Sequence, residues 1–469
     1  MMCSSQKRHR TIQIIIFKDI SKPTAQTLGG WLIYIVFLIW LFSFYRESGI
    51  IIAVMKMTGF TNYEEMFSQS IGLKEPWKVD KAEFDEKRKE VHIYVRCRKT
   101  AKYPCPKCGK MCSRYDDEEK ERVWRHGDVV FFPCYVHCRR PRIKCSDGIH
   151  VVTAPWARPN SRYTLLFESY AMLLMKSMPV ENARKIMRIS HTSMTGILKY
   201  WVKKAVKEDD LSKVRAICVD ETSFKKGHSY VTVISDALAR RVIDVEKGRD
   251  TDTVISFSNK LEKKGGCSNK ITQYISDMSG AYMSARDECF PNAKQIIDKF
   301  HIKQMMLKAM DEVRREEQGK KQSRKRNAGK KLLMIPEAKQ TEEQKTAIVT
   351  LSKKYPKTGR AYRMVQQIDD MYKCSDMSEA ENIFDKLIRW LRRSRLEPMK
   401  KVASSLKSKK QEILNYFYYR MTNALAEGIN SMIQSAKRRA RGFRTFEGYA
   451  CMIYLVVDKL NLSCPNPFS

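Results

Sequence analysis

Apolar residues recur along this chain with two different periods, and the switches between them mark its organisation. Residues 58–72 carry a helical, amphipathic pattern. Val91, Ile93 and Val95 alternate with polar neighbours, which predicts a strand. The cysteine-rich stretch "YPCPKCGKMCSRYDDEEKERVWRHGDVVFFPCYVHCRRPRIKC" predicts a compact module of short strands. The proline-punctuated "APWARPNSRYT" then reads as an extended linker. Helical spacing holds from Leu165 to Val206. Strand patterns dominate from Val214 to His301, broken by one helical run, Thr251–Lys264. Beyond His301 nearly everything is helical and basic, with "GKKQSRKRNAGKK" at 319–331 read as a solvated loop. There is no internal repeat.

The strand-rich region places acids where buried strands emerge, which is where open α/β sheets carry their sites. Asp220 ends the apolar run "AICV", and Asp277 ends "ITQYIS". Between them "SYVTVISD" and "RRVIDVEKGRD" read as the second and third strands of an antiparallel meander. A further strand, "AKQIID", ends at Asp298, just before Lys299-Phe300-His301. Far downstream, Leu425, Ile429, Met432 and Ala436 predict the apolar face of a helix. Asn423, Glu427 and Asn430 fall on its opposite face, and Gly428 leaves room beside Glu427. Close carboxylates repel one another unless cations lie between them. Asp220, Asp277 and Glu427 are therefore expected to hold two Mg²⁺ or Mn²⁺, the hard ions that suit oxygen ligands. Such a pair supports in-line phosphoryl displacement. Glu221 points to the other side of its strand and is expected to be structural. His228, Asp298 and His301 are expected to support the ligands from behind.

Composition supplies the substrate. The 469 residues include 88 Lys and Arg against 52 Asp and Glu, a net charge of +36 spread over the whole chain. Such a field attracts polyanions, nucleic acid first. Lys225, Lys226, Lys437, Arg438, Arg439 and Arg441 border the acids, and Arg139, Arg140 and Arg142 interleave the cysteine-rich module; all are candidate phosphate contacts. Fourteen cysteines in a long chain read as reduced thiols and metal ligands. Cys105-Pro-Lys-Cys108-Gly109 is a zinc-knuckle half-site. Cys145 is the best third ligand, with His150 a possible fourth and Cys112, Cys134 and Cys138 as competitors; one structural Zn²⁺ is expected. "MPVENARKIMRISHTSMTGILKYWVKKAV" predicts a helix-turn-helix: a first helix from Val180 to Met187, and a second capped by Thr192 or Ser193. Its shared core is expected from Ile186, Ile189, Met194 and Ile197. The apolar run at residues 31–45 is about 15 residues long, short of the roughly 20 a spanning helix needs. Residues 1–54 are expected to be foreign to the functional protein, with Met55 or Met57 as its start, and membrane association is not expected.

The stretches "CPKCG", "WRHGD", "RPRIKC", "VDETSFKKGHSYVT", "SDMSGAY", "DKFHIKQ" and "TNALAEGINSMIQSAKRRARGFRTFEGY" occur in order. Through them the chain resembles the DDE transposases of the bacterial ISL-three insertion-sequence family, over about residues 58–462. The resemblance implies an α/β fold: an RNase H-like catalytic core with a large helical insertion, preceded by a zinc-binding module and a helix-turn-helix. The expected boundaries are 1–54 for the extension, 55–100 for an N-terminal helix and strand, and 101–157 for the zinc module. They continue with 158–210 for the helix-turn-helix, 211–302 for the first part of the core, 303–420 for the insertion and 421–469 for the returning helices. The family's triad falls on Asp220, Asp277 and Glu427. The resemblance also implies double-stranded DNA as partner at element ends and target, no small-molecule substrate, a homodimer or larger synaptic complex, and a nucleoid-associated place in the bacterial cytoplasm. Family members pair Cys145 with a Cys or His shortly before a glycine; here Asp147 and Gly148 stand there. The competing expectation is a non-catalytic DNA-binding regulator that kept the fold.

Overall fold

The computed structural model describes residues 63–129, 131–225, 229–319, 324–420, 424–440, 442–457 and 462. The apolar run at 31–45, the expected start at Met55 or Met57, and Asn423, Lys226, His228 and Arg441 lie outside them. Contacts divide the chain into two units, meeting at Thr164 and Leu165. None of the described helices is long and apolar enough to cross a membrane.

In the first unit, α1 (Tyr63–Ile71) precedes eight strands: β1 (Trp77–Asp85), β2 (Glu90–Cys97), β3 (Lys102–Pro104), β4 (Met111–Asp117), β5 (Arg122–Val129), β6 (Phe132–Cys138), β7 (Pro141–Cys145) and β8 (Gly148–Val151). They form two four-stranded sheets, β1-β2-β6-β5 and β3-β4-β7-β8. Strand β2 buries Val91, Ile93 and Val95 on one face, as its alternation predicts. One core serves the unit: Trp156 stands edge-on to Trp77 and Trp124, at 5.1 and 5.4 Å between ring centroids. The stretch expected as an extended linker is thus tied down, with Ala154, Trp156 and Ala157 buried in that core. Proline punctuation signalled irregular backbone and did not reveal the apolar anchors within it.

The second unit opens with α2 (Leu165–Ser177), α3 (Val180–Met187) and α4 (His191–Glu208). Helix α3 has the expected limits and ends at Arg188, in the left-handed region at φ 54°. The cap of α4 is Ser190, not Thr192 or Ser193; its side chain accepts from the Ser193 N–H at 3.0 Å. Ile186 is exposed, contrary to expectation. Ala183 and Met187, four residues apart on one face of α3, are buried instead, with Met194 and Ile197 of α4.

A five-stranded sheet follows, from β9 (Ala216–Lys225), β10 (Ser229–Asp236), β11 (Arg241–Lys247), β12 (Gln273–Ser276) and β13 (Lys294–Ile297), in the order β11-β10-β9-β12-β13. The first three form the expected antiparallel meander, and β12 and β13 run parallel to β9. Helix α5 (Thr251–Lys263) was expected; α6 (Gly280–Cys289) was not. Both contribute to a core built on Ile217, Val219, Ile234 and Tyr274, with Phe257 from α5 and Tyr282 from α6. The alternate residues Cys218 and Ile275 turn to the opposite face.

The chain continues through α7 (Lys299–Gln318), α8 (Arg324–Leu333), α9 (Glu342–Lys354), α10 (Pro356–Lys373), α11 (Met377–Arg393), α12 (Glu397–Lys407) and α13 (Lys410–Tyr419). These share a separate hydrophobic core. Much of the stretch expected as a loop at 319–331 belongs to α8, since Lys, Arg and Ala are strong helix formers whatever their charge. The last helices are α14 (Ala424–Arg439), packed on β9, and α15 (Phe446–Val457), packed on α14 and α4. In α14 the buried residues are Ile429, Ile433 and Ala436, while Met432 is exposed. The apolar stripe steps by four residues from Ile429, not by three.

Candidate active site and zinc module

Parallel register sets the frame of the candidate active site. Ile275 of β12 pairs with Cys218 of β9, and Ser276 pairs with Ile297 of β13. Continuing both registers brings Asp220, Asp277 and Asp298 level across three adjacent strand ends. A hydrogen bond is made at each oxygen of the Asp220 carboxylate: Oδ1 accepts from the Glu221 N–H at 2.8 Å, and Oδ2 accepts from Asn430 Nδ2 at 2.8 Å. Burial pushes the Asp220 carboxyl up to about 6; Asp298 and Asp277 add to this, while the Glu221 N–H and His301 oppose it. Asp277 Oδ1 accepts from the Ser279 N–H at 2.9 Å, which shapes the turn into α6.

Asp298 is buried and caps α7, accepting from the Phe300 N–H at 3.2 Å. Its other oxygen lies 3.0 Å from His301 Nδ1. That hydrogen bond, with the charges of Asp298, Asp220 and Asp277, raises the His301 pKa against the effect of burial. Glu427 stands in the first turn of α14. Its side chain is exposed at the surface, yet partial desolvation raises its pKa, with Asp298 adding and Lys299 and His301 opposing, so it belongs electrostatically to the Asp298–His301 corner. Glu221 lies 3.9 Å from Arg249 and pairs with Thr232, whose hydroxyl meets Tyr282 on the α5–α6 side of the sheet. The two neighbouring carboxylates therefore do part to opposite faces.

Three residues of α14 tie it to β9. Asn430 reaches Asp220, Gln434 Nε2 donates to Thr222 Oγ1 at 2.7 Å, and Lys437 Nζ donates to the Ser223 carbonyl at 2.5 Å and its hydroxyl at 2.9 Å. With Glu427 they form one polar stripe. Sequence reasoning placed Asn430 on the Glu427 face and gave it no role; the repeat of polar residues at helical spacing was the available signal. Several candidate DNA cations are engaged within the chain. Lys225 donates to the Arg444 carbonyl at 3.0 Å, Arg439 to the Ser177 carbonyl at 2.8 Å, and Arg438 to the Gln434 carbonyl at 3.3 Å. Arg140 makes two 2.7 Å bonds to Glu118, Arg142 pairs with Asp116, and Arg139 is exposed.

In the first unit, Cys105, Cys108 and Cys145 bring their sulfurs within 4.8 Å of one another. This is the one trio of possible ligands so close among the described residues; Asp220, Asp277 and Glu427 stand farther apart. The Cys105 and Cys145 sulfurs are 3.7 Å apart, close to the roughly 3.8 Å edge of a tetrahedron with 2.3 Å zinc–sulfur arms. Gly109 takes φ 72° behind the first pair, with its N–H donating to the Cys105 carbonyl at 2.9 Å. Cys134 and Cys138 are buried on β6, where burial pushes the Cys134 thiol up to about 12 and Cys138 upward as well. Cys112 Sγ approaches the Lys110 carbonyl. His150 does not join the trio: its Nε2 lies 3.6 Å from Asp147 Oδ2, buried and without a hydrogen-bond partner. Asp147 pairs with Lys107 at 2.7 Å.

Residues 217–453 match the model of the ISL3 DDE transposases. Residues 152–202 match the helix-turn-helix domain of transposase family ISL3, and 102–148 the zinc-finger of the IS204/IS1001/IS1096/IS1165 transposases. The chain is 23% identical to the transposase for insertion sequence element IS1557 of Mycobacterium tuberculosis, over 84% of this chain and 95% of that protein. It is also 23% identical to the transposase for IS1001 of Bordetella parapertussis, over 81% and 95%. Each match falls where the structure shows the corresponding part: the cysteine trio, the capped helix pair, and the sheet with acids level at its strand ends. The chain thus belongs to the ISL3 family of DDE transposases, as a DNA-binding, metal-dependent enzyme.

Proposed function

We propose that this chain mobilises its own insertion sequence, with Asp220, Asp277 and Glu427 as the ligands of two Mg²⁺ or Mn²⁺ in an RNase H-like core. The observation that carries this reading is the register: Asp220 and Asp277 come level at the ends of adjacent parallel strands, and Glu427 lies one turn before Asn430 on α14 and interacts with Asp298 and His301 beside them. A central meander followed by two parallel strands supports the RNase H-like assignment. The donor set is hard oxygen, which suits these ions.

When bound, the ions polarise the attacking oxygen and steady the leaving one. The chain's own part is positioning. The Glu221 N–H and Asn430 fix Asp220, Ser279 fixes Asp277, and Asp298 holds His301 toward both. The zinc module, with Cys105, Cys108 and Cys145 holding one Zn²⁺, and the exposed start of α4 at His191, Thr192 and Gly196 take the terminal inverted repeats. Lysines and arginines around the site, Lys225, Lys437 and Arg438 among them, neutralise backbone phosphates. Water first cuts at the element ends to free 3′ hydroxyls, and these then attack target DNA. Two ends must meet, so the working form is a dimer or larger synaptic complex, acting on the nucleoid in the bacterial cytoplasm.

The test incubates purified chain with DNA carrying its element ends and Mn²⁺, wild type beside Asp220→Asn. Cleavage by the wild type alone is expected. Equal cleavage by both excludes Asp220 as an essential ligand, and binding without any cleavage favours a regulator.

A further inference from the structure

Asn430 carries more than a packing role. Its Nδ2 donates to Asp220 Oδ2 at 2.8 Å, while its Oδ1 is buried and accepts no hydrogen bond. The amide orientation is fixed by that contact, since the flipped form would set oxygen against carboxylate. An unpaired buried acceptor is destabilising, so it needs an explanation. The neighbours on the same stripe give none. Gln434 and Lys437, one and two turns on, close their bonds with Thr222 and Ser223. Among the three residues of this stripe bonded to β9, the unanswered buried oxygen falls at the level of Asp220, next to the acids.

We propose that Asn430 is a positioning residue of the divalent-cation centre: its Nδ2 orients Asp220, and its Oδ1 is a neutral oxygen acceptor for the hydrated cation. A carboxylate held at both oxygens presents its remaining lone pairs in one fixed direction. Mg²⁺ and Mn²⁺ sites commonly keep bound water, and a carboxamide oxygen is a natural acceptor for it. Asparagine combines both roles. Aspartate at this position keeps the acceptor and loses the donor; leucine fills the same space with neither. The inference rests on the proposed role of Asp220.

The test is Mn²⁺ binding to the full, zinc-loaded chain, measured by calorimetric titration without DNA, together with the melting temperature before Mn²⁺ is added. Residues that orient metal ligands typically change affinity 10–100-fold. Asn430→Leu is expected to weaken Mn²⁺ binding at least tenfold while leaving the metal-free melting temperature unchanged or raised. Asn430→Asp is expected to recover most of that affinity, because the oxygen returns. Affinity within twofold of wild type in Asn430→Leu overturns the proposal, as does a loss of affinity that tracks a lower metal-free melting temperature. If Asn430→Asp binds as poorly as Asn430→Leu, the role given to Oδ1 is overturned. Asp220→Asn separates the two readings: Mn²⁺ binding unchanged there removes the proposed ion site itself. Loss there with wild-type affinity in Asn430→Leu removes only Asn430.

Discussion

Replacing Asp220 by Asn should make the cation-free protein more stable while abolishing cleavage. The Asp220 carboxyl is raised from an ordinary 3.8 to about 6, chiefly by burial. At roughly 1.4 kcal/mol per pH unit, its ionised form costs the fold about 3 kcal/mol at neutral pH. The sign follows from proton uptake. Between pH 4 and 6 the folded chain binds more protons here than the unfolded one, so this contribution to stability falls as pH rises. It is lost in full above about pH 6, and no penalty remains below about pH 4. Asparagine carries no charge, and the hydrogen bonds can survive: its oxygen takes the Glu221 N–H, and its amide meets Asn430 Oδ1 once that side chain flips. Urea unfolding without added Mg²⁺ or Mn²⁺ should therefore find Asp220→Asn about 2–3 kcal/mol more stable than wild type at pH 8 and nearly equal at pH 4. Other titrations are common to both proteins and cancel in the difference. Adding Mn²⁺ at about 100 times its dissociation constant should stabilise the wild type by about 2.7 kcal/mol and the variant far less. A variant no more stable at pH 8, or equally stabilised at pH 4 and pH 8, would refute the reasoning.

His301 lowers the Asp220 pKa through its charge, so His301→Gln should move the acid limb of the cleavage pH profile to higher pH; an unmoved limb would show that the imidazolium does not act on the acids. In the zinc module, Cys145→Ala should lose Zn²⁺ to a chelator faster than wild type, because its sulfur completes the trio with Cys105 and Cys108, whereas His150→Ala, outside that trio, should retain it; equally fast loss from both would make His150 a fourth ligand.

Legibility in the sequence followed the range of the interaction that decides each feature. Asp220 and Asp277 were readable because an acid ending an apolar run is a local pattern. The two thiols of Cys105 and Cys108 were readable for the same reason. The competition among the remaining cysteines was also partly decidable: Cys134, Val136 and Cys138 alternate along β6, which sends all three to one buried face. Helix α8 was hidden by its charge, since a run of Lys and Arg reads as solvated whether or not it is helical. The inward residues of α3 and α14 were misplaced where a three- and a four-residue step fit equally well, as with Met432 and Ile433. What no local pattern contains is the register between strands, 57 residues apart in sequence for β9 and β12 and 21 for β12 and β13. That register turns separate strand-end acids into one row and admits Asp298 to it. Periodicity likewise puts Asn430 on the polar face of α14, but only the strand beneath it assigns its Nδ2 to Asp220. The candidate catalytic positions are thus written locally, and the residues that touch them become visible only once the sheet has closed.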